Sequence, residues 1–302
     1  CKASDTTSNW IANTPNCTLA QDTYFFTGKG KKKKWIRLGG MKLAGQAGDG
    51  NARGSRGTSD SRIGNWVYGF NTSDVSIHLV QDDVTLIGEF RASNLANANR
   101  YAIILSGSGK SSSDYQVHQL FQGYNQMGVH CLSVDYRGYG SSSGSTTKQG
   151  MYADTRAMVA FLRDRHQAAS NTVIMHGWSI GSAPAMEVTL ALENSGDPIR
   201  GLVLQCPISS TFRAARAHGS NVVMSAICYK MFAMNNDRKI KQLRTKTLIL
   251  KGNQDKPGFQ EMADRLFRHA TNATLSTFNG GHEDHDSIFQ GNSGAEIIRF
   301  LA

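Results

Sequence analysis

Gly177-Trp178-Ser179-Ile180-Gly181 sets a serine between two glycines in a G-x-S-x-G pentapeptide. A serine hydroxyl is a poor nucleophile near neutral pH. It needs a base to take its proton, and the base needs a third group to orient it. An apolar run, Val173 to Met175, precedes the pentapeptide, and small, helix-compatible residues follow it: Ser182, Ala183 and Ala185, then Met186 and Leu190. Strand, tight turn and helix around a central serine make a nucleophile elbow, which holds the Ser179 hydroxyl above the sheet edge on a strained backbone. In so sharp a turn, side chains at positions 177 and 181 would collide with neighbouring backbone. Ser179 is also expected at a helix N-terminus, whose free N–H groups stabilise an oxyanion. Stripped of chemistry, the same residues are only a strand-to-helix turn.

The base and its orienter have several candidates. His282 stands in Asn279-Gly280-Gly281-His282, and His285 follows three residues on. Asp255 stands in Gly252-Asn253-Gln254-Asp255, just past an apolar run ending at Lys251, whereas no strand-like run precedes Asp237 in Asn235-Asn236-Asp237-Arg238. Taken alone, Asp255 is an ordinary turn residue. Glu283, Asp284 and Asp286 are the carboxylates expected to cap a helix N-terminal turn.

The elements that must position these groups follow from hydrophobic period. Val75 to Val80 alternates, Gln81-Asp82-Asp83 gives a turn, and Val84 to Phe90 continues, which is a strand hairpin. Tyr101 to Leu105 is continuous and apolar, as a buried strand should be. A helix over about Tyr115 to Gly128, a strand Val129 to Val134 and a helix from about Gly150 to Arg165 come next. After the elbow helix come strands Gly201 to Cys206 and Lys246 to Lys251, a helix Phe259 to His269, a strand Ala273 to Phe278 and a last helix Ala295 to Leu301. Strands alternating with helices predict an α/β fold: a mainly parallel, doubly wound sheet opened by an antiparallel hairpin.

Over roughly Val75 to Ala302 the sequence resembles the α/β-hydrolase superfamily. The resemblance is carried by the pentapeptide in its strand–helix context and by Asp135-Tyr136-Arg137-Gly138-Tyr139-Gly140-Ser141-Ser142-Ser143-Gly144. That string is similar to a loop of small-cap members such as acyl-protein thioesterases and monoacyl-lipid hydrolases; its glycines would let backbone pass close to the serine, a supporting role with no chemistry for Asp135 or Arg137. The resemblance implies the chain order serine, acid, histidine, with Asp255 as acid and His282 as base, both just past the carboxyl ends of strands. The Gly280-Gly281 pair favours His282 over His285. It implies an oxyanion hole from the backbone N–H of Ile180 and that of Ser108, in the loop Ser106-Gly107-Ser108. Relatives usually carry His-Gly there, and this chain lacks that histidine. The implied activity is hydrolysis of a carboxylic ester or thioester through an acyl-enzyme, with no metal and no organic cofactor. A serine peptidase of the same fold, or a binding protein without catalysis on it, are the alternatives. Fluorophosphonate reactivity separates catalyst from binder.

Between Cys206 and Lys246 lie about forty residues in place of a large cap. Their apolar, Met-rich stretch Val222 to Met234 reads equally as an acyl-chain lining and as a core helix. It is the longest apolar stretch, and Lys230 breaks it well short of a membrane span of about 20 residues.

Residues 1–65 read differently from residues 66–302. They hold eleven Lys/Arg against four Asp/Glu, whereas the remainder holds twenty-two against nineteen. Asn, Thr, Ser and Gly dominate, which suits a flexible basic arm. Five lysines lie between Gly28 and Trp35. A solvated loop is the plain reading of that run. The functional reading is attraction to an anionic membrane surface; nucleic acid is disfavoured, because one aromatic adjoins the lysines and no nucleic-acid-binding motif is present. The chain begins at Cys1, which suits either a trimmed start or a processed lipoprotein. The compartment is otherwise open. Five cysteines are odd in number and too few for a disulfide framework. Cys131 and Cys206, in apolar runs, read as buried thiols, and no Cys/His spacing resembles a zinc site.

Overall fold

A computed structural model describes residues 23–27, 34–38, 72–79, 82–96 and 98–302. Within the basic arm it places two strands that the composition did not suggest, β1 (Thr23–Thr27) and β2 (Lys34–Leu38), paired antiparallel. Lys34 and Trp35, at the end of the lysine run, lie in β2. The rest of the arm, with Cys1 and Cys17, lies outside the described residues.

The main sheet has eight strands: β3 (Thr72–Leu79), β4 (Val84–Arg91), β5 (Arg100–Leu105), β6 (Val129–Val134), β7 (Val173–Trp178), β8 (Gly201–Gln205), β9 (Thr247–Gly252) and β10 (Ala273–Phe278). Their spatial order is β10-β9-β8-β7-β5-β6-β4-β3. β4 runs antiparallel to both its neighbours, β3 and β6, and every pairing from β6 across to β10 is parallel. This is the α/β-hydrolase arrangement, an antiparallel opening followed by a parallel, doubly wound sheet.

The helices are α1 (Tyr115–Gln126), α2 (Lys148–His166), α3 (Ser182–Asn194), α4 (Thr211–Ala217), α5 (Val222–Phe232), α6 (Asn236–Lys239), α7 (Pro257–His269) and α8 (Gly291–Leu301). Because successive strand side chains point to opposite faces, each central strand feeds two cores. Ile103, Met175, Leu204 and Ile249 pack under α2, α3 and α7 with Met158, Leu162, Ala185 and Leu266. Ile104, Ile174, Val203 and Leu250 pack under α1 and α8 with Leu120, Phe121, Ile297 and Phe300. Burial on both faces is why these strands read as unbroken apolar runs rather than alternating ones.

The Asp135–Gly144 loop is indeed structural, although its glycine serves a different neighbour from the one expected. Gly140 has φ +47, and a Cβ there would fall 2.0 Å from Asp135 Oδ2. The Asp135 carboxylate accepts the N–H groups of Ser112 and Ser141, so the glycine makes room for that carboxylate. Arg137 pairs with Asp154 of α2 at 2.8 Å and with Asp82 of the β3–β4 turn at 2.9 Å, which ties the loop to two elements.

α5 settles between its two readings unevenly. Its first turn projects into solvent, with Val222, Val223 and Met224 between 49% and 68% exposed, whereas Met234 beyond its end is buried in the core.

Candidate active site

β7 ends in the elbow. Ser179 has φ +54, in the left-handed region that a residue with a Cβ enters at a cost. The two glycines show why the turn takes no other residue. A Cβ at Gly181 would lie 2.1 Å from the Leu105 carbonyl oxygen, and one at Gly177 would lie 2.7 Å from the Gly181 carbonyl oxygen. The chain then enters a single 3-10 turn, Ser179–Gly181, and continues as α3.

Asp255 follows β9 and His282 follows β10, adjacent parallel strands. The two loops are laced together. Gln254 N–H donates to the Gly280 carbonyl at 2.9 Å, Gly280 N–H donates to Asn253 Oδ1 at 3.1 Å, and the Gln254 amide donates to Asn279 Oδ1 at 3.0 Å. A Cβ at Gly252 would meet the Gly280 carbonyl at 2.5 Å, so the approach depends on glycine. Asp284 accepts the Gly281 N–H at 2.6 Å and so shapes the histidine turn itself.

The structure brings the three residues together. His282 Nε2 lies 2.9 Å from Ser179 Oγ, and His282 Nδ1 lies 2.8 Å from Asp255 Oδ2. A carboxylate only accepts, so Nδ1 carries the proton and Nε2 accepts from the serine hydroxyl. Asp255 Oδ1 accepts the Lys256 N–H at 2.7 Å. Ser179 and Asp255 are buried, and the His282 side chain keeps 21% of its surface open. The arrangement can move a proton from Ser179 to His282 while Asp255 holds the ring.

His285, the competing base, is elsewhere. It is fully buried, and its Nδ1 meets Gln205 Oε1 at 3.0 Å. Asp237 pairs with Arg265 of α7 at 2.8 Å, away from the serine. Glu283 is no cap: it pairs with Lys110 at 3.2 Å. Asp286 accepts from the Gln119 amide of α1.

Of the two expected oxyanion donors, Ile180 is the second residue of the 3-10 turn that Ser179 opens, where N–H groups have no intrahelical acceptor. Ser108 lies exposed in a turn closed by Lys110 N–H on the Gly107 carbonyl at 3.3 Å. Gly181 abuts the carbonyls of Leu105 and Ser106, so this loop borders the elbow. The loop packs on Trp178 and is tied to the histidine turn. A Cβ at Gly107 would stand 3.2 Å from the Trp178 ring, and Lys110 reaches both Glu283 and the Trp178 face, 5.9 Å from its centroid.

Sequence reasoning passed over three supports. Trp178 is buried, donates from Nε1 to the His282 carbonyl at 2.9 Å, and packs edge-on to His285 at 4.3 Å. Behind it, Tyr124 hydroxyl, His176 and Gln205 form a buried chain: Tyr124 Oη to His176 Nδ1 at 2.8 Å, and His176 Nε2 to Gln205 Oε1 at 3.1 Å. Cys206 is the third. It has φ +43 at the end of β8, beside the strand that carries Ser179, and burial, then the Asp255 charge, pushes its thiol well above the usual range. Cys206, Asp255 and His282 are the one grouping among the described residues whose donor atoms could share a metal ion, all within 4.8 Å. Two of the three already hydrogen-bond each other. The signal for Cys206 was the Cys206-Pro207 pair at a strand end; those for Trp178 and Gln205 were not in the sequence, because both act through neighbours distant in the chain.

The buried imidazoles make stability depend on pH. Burial lowers His176 to about 4, with the Gln205 hydrogen bond opposing in part. Burial, then the charges of His176, His282 and Lys110, lowers His285 well below the usual value. Unfolded, each imidazole takes a proton near pH 6.5; folded, His176 takes one only near 4. Between those values the unfolded chain binds more protons, so stability falls as pH falls through that window and is full above it. At ~1.4 kcal/mol per pH unit, His176 alone costs about 3 kcal/mol by the acid end. Thermal melts across the window should show Tm falling with pH, less steeply in His176→Gln. An unchanged slope in the variant would exclude His176 as a source.

Comparison with known proteins agrees with the fold. A model of the alpha/beta hydrolase family matches residues 102–224. The chain is 32% identical over 123 residues to a multifunctional-autoprocessing repeats-in-toxin of Vibrio vulnificus, covering 41% of this chain and 2% of the toxin. It is 27% identical over 190 residues to human protein ABHD12B, 59% of this chain and 52% of that one. It is 27% identical over 169 residues to the lysophosphatidylserine lipase ABHD12 of Xenopus tropicalis, 51% of this chain and 43% of that one. The chain thus spans about half or less of the length of these relatives. The crystal structure of an alpha-beta hydrolase from Vibrio vulnificus superposes with a TM-score of 0.68 at 23% identity, covering 86% of this chain and 89% of that one. The sheet order and the matched family model agree: the chain has the α/β-hydrolase fold, and residues 102–224 match the alpha/beta hydrolase family.

Proposed function

We propose that this protein is a serine hydrolase that cleaves a carboxylic ester or thioester, of acyl-lipid or acyl-protein type, through an acyl-enzyme. The observation that carries the reading is the continuous hydrogen-bond line from Ser179 Oγ through His282 to Asp255, with both bonds under 3 Å. In the proposed cycle His282 Nε2 takes the Ser179 proton as Oγ attacks the acyl carbon. The oxyanion is held by the N–H groups of Ile180 and Ser108. His282 then gives the proton to the departing alcohol or thiol, and water repeats the sequence to release the acid. Asp255 stays ionised and steadies the imidazolium. The lysophosphatidylserine lipase among the relatives supports an acyl-lipid ester as the substrate class. Covalent reaction of Ser179 with a fluorophosphonate tests the reading.

A further inference from the structure

An open groove of about 600 Å³ runs between α4 and the start of α7, and its lining includes Lys256, the residue after Asp255. Arg213, Arg216 and Lys256 line it, against one carboxylate, Glu261. Three cations to one anion is a local concentration, because residues 66–302 hold nearly balanced charge, twenty-two Lys/Arg against nineteen Asp/Glu. Glu261 pairs with Arg213 at 3.7 Å, both side chains largely open to solvent, which is a weak pairing. Arg216 spends one donor on the Ser220 carbonyl at 2.8 Å, one of the five its guanidinium carries. α7, thirteen residues long, begins at the groove with no acidic residue in its first turn, and the Asp255 carboxylate already takes the Lys256 N–H at that end.

None of Ser179, Asp255 and His282 lines the groove, but two of its neighbours lead to them. Lys256 directly follows Asp255 and gives it a backbone hydrogen bond. Phe259, one turn into α7, packs on the His282 ring at 4.3 Å, and Met262 on the next turn lines the groove. His218, just past α4, packs edge-on to Phe259 at 5.0 Å. Its pKa is lowered by partial burial, then by the charges of Lys256 and His282, with Asp255 opposing.

We infer that this groove holds a phosphate group on the alcohol half of the substrate. The inference rests on the ester-hydrolase reading above. An acyl chain is apolar, so a cationic wall that starts at the residue after Asp255 suits the other half of the ester. Two guanidinium forks and an ammonium suit a phosphate dianion better than a single carboxylate.

The test uses two monoacyl esters with the same chain, one bearing a phosphate monoester on its alcohol half and one bearing a hydroxyl there. At low ionic strength, where such attraction is least screened, the protein should prefer the phosphate-bearing ester at least tenfold in kcat/KM. Arg216→Gln and Lys256→Gln, both at exposed side chains, should each reduce that ratio severalfold. Equal handling of the two esters, or a preference that survives both substitutions, would overturn the inference. Should neither ester be turned over, the hydrolase reading fails on its own, and calorimetry with glycerol 3-phosphate decides the groove. Binding that weakens in both variants supports it; no binding, or binding unchanged by the variants, rejects it.

Discussion

Ser179→Ala is expected to lower kcat on an acyl ester by roughly 10⁴-fold or more, the scale on which triad hydrolases lose turnover with their nucleophile. The substitution removes one oxygen. Both residues carry a Cβ, so the strain at φ +54 is the same before and after. The elbow is fixed by Gly177, Gly181 and the buried Trp178 ring, none of which needs the hydroxyl. The loss should therefore appear in kcat with the thermal melt little changed. A variant that kept turnover within tenfold of the parent would remove Ser179 from the chemistry.

The second large effect separates the two histidines. His282→Ala should cost about as much as the loss of the serine, because Nε2 is the acceptor on Ser179 Oγ and nothing else among the described residues is placed to replace it. His285→Ala should act on stability instead. It deletes a buried ring packed on Trp178 and leaves the Gln205 carbonyl short of a donor, a loss of about 3 kcal/mol. Below its lowered melting temperature that variant should keep most of its turnover. Measuring kcat and Tm for both variants resolves the roles; turnover lost with His285 and kept without His282 would reverse them.

Much of this was legible in the sequence, and the limits have physical causes. Strands buried on both faces announce themselves as apolar runs, so β5 to β9 fall within a few residues of their expected bounds, and the half-exposed edge strand β10 was found by its β-prone residues instead. The elbow was legible because a strained turn constrains its own neighbours: glycine at 177 and 181 is forced by carbonyls 2.1 to 2.7 Å from any added Cβ. Asp255 and His282 were legible only through position at strand ends, and the choice over His285 rested on the Gly280-Gly281 turn. The supports were not legible, because they join residues far apart in the chain. Trp178 holds the His282 carbonyl 104 residues away, and Lys110 reaches Glu283 across 173. α5 misled by composition: an apolar helix was expected against something, yet Val222 to Met224 face solvent.

The most direct test is to map where a fluorophosphonate attaches. Such reagents phosphonylate a serine only when a neighbouring base activates it and an oxyanion site accepts the developing charge. Mass spectrometry of the digested protein should find one adduct, on Ser179. The adduct should be absent after prior denaturation and strongly reduced in His282→Ala. An adduct on another residue, or a folded protein that cleaves esters yet takes no label at Ser179, would contradict the account.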